Sequence, residues 1–189
     1  MMHRRLHRRR FLQAGTALAA GSLLPRAAFA AAANSKLRTA HIGVGGMGAS
    51  DLAAIASHRS VEVAALCDVD RDRLQQARSK FPAATAFTDY RELLASLGDS
   101  IDAVVVSTPD HTHAPAAMSA LNLGKPVYCQ KPLTHSVYEA RRLREAAERR
   151  SIVTQMGIQV HSTAPYRRAV AMIQSGVIGK VSQVFAWSN

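Results

Sequence analysis

The sequence predicts an α/β fold with a doubly wound parallel sheet, and three observations carry this prediction. Short apolar runs alternate with amphipathic segments of helical period along most of the chain, which is the pattern of strands joined by right-handed helical crossovers. A glycine-rich turn, GVGGMG, follows the first run. The second run, VEVAALCD, ends at Asp68, twenty positions after Gly48. Together these features predict a dinucleotide site.

The first unit begins with the apolar strand LRTAHIGV, which enters the turn at Gly43, Gly45 and Gly48. Glycines at this spacing permit a tight turn, a close approach of the backbone to a pyrophosphate, and close packing of the next helix on the strand. Leu52, Ile55 and Ala56 supply the apolar side of that helix. A purely structural glycine turn is the alternative, but the flanking strand and helix favour a phosphate site.

The later elements follow in the same alternation. Ser136 and Glu139 form a capping-box pair that opens a long helix, and Gly124 has the position of a helix C-cap. The run IDAVVVSTP predicts a strand that is buried on both faces. The predicted elements are helices over 71–81 and 114–123, a short strand and a helix within 86–98 with Asp89 near the helix start, and strands over 101–109, 126–132 and 151–160.

The last segment changes character. A helix is predicted over residues 165–176, and VSQVFAWSN then alternates like a half-buried strand. An isolated strand does not bury its apolar face. We therefore expect a dinucleotide-binding domain over residues 36–160, and the beginning of an incomplete α+β substrate domain over residues 161–189.

The first thirty residues read as an export signal. A basic start precedes an apolar run of about eleven residues, and Ala28 and Ala30 fit a signal-peptidase site. The run is too short to span a bilayer. The series Arg8 to Leu12, RRRFL, resembles the signal read by the twin-arginine export machinery. An ordinary arginine-rich signal or a basic tail is the alternative. We expect a periplasmic or otherwise exported protein without a stable membrane span.

The net charge of +11 is concentrated in that leader. Six of the 24 lysines and arginines lie in the first thirty positions, which contain no acidic residue. The rest of the chain contains 18 basic and 13 acidic residues and has no basic patch interleaved with aromatic residues. Nucleic-acid binding is therefore not expected. Cys67 and Cys129 each lie near the end of a predicted strand, and two buried thiols are a better interpretation than a disulfide.

The motifs GVGGMG, CDVD, STPDHTHA, CQKPLTH and SGVIGKVSQVFAW, in this order, resemble the Gfo/Idh/MocA family of glucose-fructose oxidoreductase, inositol dehydrogenase and the rhizopine-catabolism dehydrogenases. The resemblance runs from Leu37 to Asn189. It implies a Rossmann domain followed by a domain with a mostly antiparallel sheet, and hydride transfer between a nicotinamide and a sugar or polyol carbon.

By this resemblance the cofactor-binding residues can be assigned. Asp68 would bind the adenosine ribose and favour NAD over NADP because a carboxylate repels a 2′-phosphate, while Arg73 would soften that preference. The other assigned residues are Gly43, Gly45, Gly46, Met47 and Gly48 at the pyrophosphate, and Thr108, Pro109 and His113 in the loop after the fourth strand.

A metal site formed by Asp110, His111 and His113 is an alternative for that loop. Three ligands within four residues do not converge easily on one ion, and no distant cluster of cysteines or histidines completes the set. No metal is expected.

Lys131 is the expected catalytic residue, because it matches the lysine of the family's Glu-Lys-Pro motif. Its ammonium group would hydrogen-bond the reacting hydroxyl and favour its alkoxide-like form; a solvated surface lysine is the alternative. Gln130 replaces the family's glutamate and removes a negative charge beside Lys131. Gln130 would still orient a nicotinamide amide by hydrogen bonding.

The family's remaining catalytic pair, an aspartate and a histidine, would fall beyond Asn189. His161 is the nearest candidate base, and a solvent-facing loop histidine is at least as good an interpretation. We expect this chain to bind nucleotide with little turnover. The alternatives are a redox-neutral NAD-dependent glycoside hydrolase and a non-catalytic binding protein. The full-length protein is expected to be a homo-oligomer.

Overall fold

The computed structural model describes residues 36–187, which are built around one six-stranded sheet. The strands are β1 (Leu37–Ile42), β2 (Val61–Cys67), β3 (Thr85–Phe87), β4 (Ala103–Val106), β5 (Val127–Gln130) and β6 (Thr154–Gly157). Their order in the sheet is β3-β2-β1-β4-β5-β6, and all neighbouring strands are parallel. The predicted signal over residues 1–30 lies outside the described residues.

Seven α-helices occur within residues 36–187. They are α1 (Met47–Ala56), α2 (Arg71–Lys80), α3 (Tyr90–Leu97), α4 (His113–Asn122), α5 (Val137–Arg150), α6 (Gln159–Ser162) and α7 (Ala164–Gln174). Two 3-10 turns, Gly98–Ser100 and Asp110–Thr112, precede β4 and α4. Helices α1 to α5 connect successive parallel strands, so the predicted doubly wound α/β fold is confirmed.

The sheet carries a hydrophobic cluster on each face. Strand β2 contributes Ala65 and Cys67 to one cluster and Leu66 to the other, and side chains alternate between faces along a strand. Helices α3, α4 and α5 contribute to the larger cluster, and α1 and α2 to the smaller one. The strand order reverses between β1 and β4, and this topological switch point is where ligands bind in open α/β sheets.

Local sequence signals located several helix ends correctly. Ser136 and Glu139 form the predicted capping box at the start of α5. Gly124 has a φ of 72° just after α4, which is the left-handed conformation of a C-cap glycine. Cys67 and Cys129 are free and buried, as predicted. Burial raises the pKa of both thiols to about 12, and the charge of Asp68 contributes at Cys67.

Two predicted strands differ from the structure. The strand expected over residues 151–160 covers only Thr154–Gly157, because β5 offers just four residues to pair with it, and Gln159–Ser162 form a short helix instead. The strand expected in VSQVFAWSN is wrong for residues 181–187, which are exposed and have no regular secondary structure. Within residues 36–187 no strand pairs with this segment, and a strand without a partner leaves its backbone groups unpaired.

None of the helices within residues 36–187 has the length and apolar character needed to cross a membrane.

Candidate nucleotide-binding and catalytic site

The glycine turn leaves the N-terminus of α1 open. Gly46 is the N-cap residue, with a φ of 53°, and within the described residues no side chain caps this helix end and no acidic residue lies in its first turn. The first backbone N–H groups of a helix have no intrahelical acceptor and carry partial positive charge. This end of α1 therefore fits the pyrophosphate of a dinucleotide.

The turn is packed so tightly that two of its glycines have no room for a side chain. A Cβ at Gly43, which has a φ of 84°, would lie 2.6 Å from the carbonyl oxygen of Ser107. A Cβ at Gly48 would collide with the carbonyl oxygen of Gly43. At Gly45 a Cβ would meet only side-chain atoms of Arg73. The space beside Gly45 is therefore occupied by a flexible side chain and not by backbone.

Asp68 ties the end of β2 to the glycine turn. Its Oδ2 accepts a hydrogen bond from the Val44 backbone N–H at 2.9 Å, and its Oδ1 accepts one from the Asp70 N–H at 3.0 Å. An ionised carboxylate has about four acceptor sites, so further ones are available to a ribose diol.

Arg73 lies between the turn and α2. Its Nε is 3.2 Å from Asp70 Oδ2, and its aliphatic part lies against Gly45. This cation and the Asp68 carboxylate line the same cleft.

The cleft at the switch point has a volume of about 650 Å³. It extends from the glycine turn past Asp68 to the loop after β4, and its lining includes Gly43, Gly45, Asp68, Arg73, Thr108 and Pro109. The hydroxyl of Thr108 is buried and has no hydrogen-bond partner within the described residues. An open helix N-terminus, a carboxylate in the cleft lining and an unpaired hydroxyl beside it fit an adenine dinucleotide.

His113 does not reach this cleft, because its side chain is only 1% exposed. Its Nε2 lies 2.7 Å from the Thr108 carbonyl oxygen and its Nδ1 lies 2.7 Å from that of Pro132. The ring therefore joins the loop after β4 to the segment that carries Lys131.

No group of three or more histidines, cysteines, aspartates or glutamates suited to a metal occurs within the described residues. Asp110 and His111 are exposed, with 3.9 Å between Oδ1 and Nδ1, whereas both ring nitrogens of His113 face carbonyl oxygens.

Lys131 follows β5 directly and lies at the carboxyl edge of the sheet, as the glycine turn does. Its side chain is exposed, and its backbone N–H donates to Gln130 Oε1 at 3.1 Å. Gln130 is 4% exposed, and its Nε2 donates to Asp51 Oδ2 at 2.7 Å.

Asp51 is a residue that the sequence interpretation missed. It lies on α1, is 5% exposed, and accepts hydrogen bonds from Ser107, Gln130 and Gln159. A signal was present, because Asp51 falls between Gly48 and Leu52 on the side of α1 that packs inward. A charged residue at such a position indicates a buried polar contact.

His161, the nearest candidate base, is exposed on α6 and stacks on Tyr166 at a ring-centroid distance of 4.7 Å.

Comparison with known proteins agrees with this fold. Residues 37–158 match the Gfo/Idh/MocA group, described as an oxidoreductase family with an NAD-binding Rossmann fold. The chain belongs to this family.

Individual relatives include inositol dehydrogenases. Inositol 2-dehydrogenase 2 of Mycolicibacterium vanbaalenii is 33% identical over 148 residues, which cover 77% of this chain and 43% of the relative. The crystal structure of myo-inositol 2-dehydrogenase from Lactobacillus plantarum superposes with a TM-score of 0.73 at 26% identity, over 78% of this chain and 43% of that one.

A protein of glycosyl hydrolase family 109 from Shewanella sp. (strain W3-18-1) is 30% identical over 209 residues, covering 93% of this chain and 44% of the relative. The chain spans less than half the length of these curated relatives.

Proposed function

We propose that this chain is the nucleotide-binding part of an NAD-dependent oxidoreductase that acts on a sugar or polyol. The observation that carries the proposal is the link between Asp68 and the glycine turn, in which one carboxylate both holds the Val44 N–H and faces the cleft. The family is an NAD-binding one, and relatives named inositol 2-dehydrogenase support a polyol substrate.

The preference for NAD over NADP is part of the proposal. The Asp68 carboxylate accepts hydrogen bonds from a ribose diol and repels a 2′-phosphate. Arg73 lines the same cleft and attracts a phosphate, but Asp70 holds its Nε at 3.2 Å. We therefore expect NADH to bind more tightly than NADPH.

Titration of both reduced nucleotides, followed by their fluorescence, tests this preference. Asp68→Asn removes the negative charge and one acceptor, so NADH affinity should fall about tenfold, while NADPH affinity should stay the same or rise. Asp72→Asn is the matched control because Asp72 is an exposed carboxylate on α2 outside the cleft lining. Tighter binding of NADPH by the unmodified chain would contradict the preference, and failure to bind either nucleotide would contradict the site.

Lys131 is the proposed catalytic residue. In the oxidation of the substrate, the hydride would pass from the hydroxyl-bearing carbon to the nicotinamide, and the hydroxyl proton would pass to solvent water. The Lys131 ammonium group would donate a hydrogen bond to the hydroxyl oxygen on that carbon and stabilise negative charge as it develops. Removing such a donor costs on the order of 10² to 10³ in rate, so Lys131→Met in the full-length protein should lower turnover by that factor while nucleotide affinity changes little.

A second candidate function is redox-neutral glycoside hydrolysis, in which a bound nucleotide is reduced and reoxidised within one turnover. The similarity to a glycosyl hydrolase family 109 protein favours this candidate. The full-length protein should be assayed with free polyols and with aryl glycosides. Glycoside cleavage without accumulation of NADH would favour the hydrolase, and net NADH formation from a polyol would favour the dehydrogenase.

We also propose that the protein is exported through the twin-arginine route to the periplasm and that it is a homo-oligomer when full length. Export in a folded state would let the protein take up its nucleotide in the cytoplasm. Replacing Arg8 and Arg9 by lysine should keep the protein in the cytoplasmic fraction, whereas unchanged export of this double variant would contradict the route.

A further inference from the structure

The carboxylate of Asp51 is buried and is held entirely by neutral side-chain donors. Its Oδ2 accepts from Ser107 Oγ and from Gln130 Nε2, each at 2.7 Å, and its Oδ1 accepts from Gln159 Nε2 at 3.3 Å. The ion pairs formed within the described residues do not include Asp51. Burying a carboxylate without a counter-ion is costly unless it is hydrogen-bonded, and these three donors offset that cost.

The amide of Gln130 is fixed at both ends. Its Nε2 donates to Asp51, and its Oε1 accepts from the Lys131 N–H at 3.1 Å. The absence of a side chain at Gly157 makes room for it, because a Cβ there would lie 3.0 Å from Gln130 Nε2 and 2.7 Å from Tyr128 Oη. The amide therefore cannot exchange its two ends without losing both hydrogen bonds.

We propose that Asp51 is the positioning residue for Lys131, acting through Gln130, and that Asp51 is the reason why this chain has an amide at position 130. The related family motif has a carboxylate there. In this chain a carboxylate at position 130 would place an oxygen 2.7 Å from Asp51 Oδ2, which brings two buried negative charges together. In this chain the buried carboxylate of the network lies on α1, and the residue on β5 is the amide that contacts it.

Two titratable side chains close to Asp51, those of His41 and Tyr128, carry no charge that could pair with it at neutral pH. His41, the nearby buried base, is kept neutral because burial lowers its pKa to about 4 despite the charge of Asp51. Burial, with a contribution from the Asp51 charge, raises the pKa of Tyr128. Both side chains are therefore uncharged at neutral pH, and neither forms an ion pair with Asp51.

An exchange of the two groups tests the proposal. Gln130→Glu should increase the unfolding equilibrium constant about tenfold or more, because it introduces an unpaired buried charge. Asp51→Asn combined with Gln130→Glu should recover most of this loss, since the amide and the carboxylate then occupy exchanged positions. Gln155→Glu is the matched control, because it makes the same chemical change at an exposed residue of β6.

A second measurement reports on Lys131 itself. Hydrogen exchange of the Lys131 backbone amide should accelerate in Asp51→Ala relative to the amides inside β5, and the exchanged double variant should restore its protection. A general loss of stability would accelerate all of these amides together, so a selective effect at Lys131 distinguishes positioning from a merely structural role.

The catalytic role proposed for Lys131 rests on the function proposed above. The coupling between Asp51 and Gln130 does not rest on that function, because neither measurement needs a nucleotide. If Gln130→Glu is no less stable than Gln155→Glu, or if the double variant shows no recovery, the coupling between Asp51 and Gln130 is overturned. Failure of the chain to bind NADH would instead overturn the proposed function and leave the coupling unaffected.

Discussion

His113 joins the two loops that carry the candidate chemistry. The sequence motif assigns it to the cofactor, yet its ring is buried between the carbonyl oxygens of Thr108 and Pro132. A motif specifies that a histidine is needed at a position and not the direction in which its ring points. Support of the cofactor loop is therefore the role that the geometry favours.

His41 is a buried histidine with an incomplete set of partners. Its Nε2 lies 3.0 Å from Thr39 Oγ1, while Nδ1 has no partner within the described residues. Burial, opposed by the charge of Asp51, lowers the pKa to about 4. Because the ring titrates near 6.5 in the unfolded chain, the unfolded chain binds a proton between these values that the folded chain does not. The contribution of His41 to the free energy of unfolding is therefore fully present above about pH 6.5 and is lost as the pH falls towards 4.

The free energy of unfolding should therefore decrease by about 2 kcal/mol between pH 7 and pH 5 because of this one group. In His41→Leu that part of the decrease should disappear, as measured by urea unfolding at both values. His135→Leu, at an exposed position, should show the same pH dependence as the unmodified chain. An unchanged pH dependence in His41→Leu would show that the ring is protonated in the folded state.

At the scale of the elements, the turn between β1 and α1 contains one glycine that we expect to matter for stability and another that we expect to matter for nucleotide binding. Gly48→Ala should destabilise the fold by about 2 kcal/mol or more, because the new methyl group meets the Gly43 backbone and lies 3.2 Å from Ser107 Cβ. Gly45→Ala should leave stability almost unchanged, since the flexible side chain of Arg73 can move away. It should nevertheless weaken NADH binding at least about tenfold, because the methyl group occupies the space expected for the pyrophosphate.

Thermal unfolding and NADH titration of the two variants provide the check, with each variant serving as the control for the other. Equal loss of stability in both would mean that Arg73 cannot move away. Full nucleotide affinity in Gly45→Ala would mean that the pyrophosphate does not approach this residue.

Elements whose signals are local could be predicted from the sequence. The capping box at Ser136, the C-cap at Gly124 and the glycine turn each depend on residues within one turn of one another. The bounds of β6 could not be predicted in this way, because they are set by the four residues that β5 presents to it. The short apolar run over residues 151–160 is compatible with either a strand or a helix until its neighbour is known.

For the whole molecule, the segment after the sheet contributes little to its core. Helix α7 has no buried residue, and Val184, Phe185 and Trp187 are more than three-quarters exposed. Ending the chain after Thr163 should therefore change the free energy of unfolding by no more than about 0.5 kcal/mol, the usual range for surface changes.

Denaturant unfolding of the shortened and complete chains measures this difference. The shortened chain should also have less tendency to self-associate, because exposed apolar surface is removed. A clear loss of stability would show that residues 164–189 pack against the sheet in solution.

The class of the fold was predictable because strands and helices alternate several times along the chain. This alternation remains recognisable even when the bounds of a single element are predicted wrongly. The glycine turn and Asp68 were predictable as a pair because a single βαβ unit contains both. The contact of Asp51 with Ser107, Gln130 and Gln159 was not, because these residues belong to four separate segments that only the completed sheet brings together. Sequence patterns identify the residues that face inward, and the three-dimensional fold decides which of them meet.

The central position of β1 also sets an order of events during synthesis. The ribosome releases β1 first, and β2 pairs with one side of it soon afterwards. Its other side stays open until residues 43–102 have been made and β4 arrives. A nascent chain therefore has the glycine turn before it has the loop after β4, which lines the other part of the cleft. During this interval the chain presents an apolar strand with an unpaired edge, and such edges promote aggregation. Cellular factors that protect emerging chains would be needed most at that stage, before any nucleotide can bind.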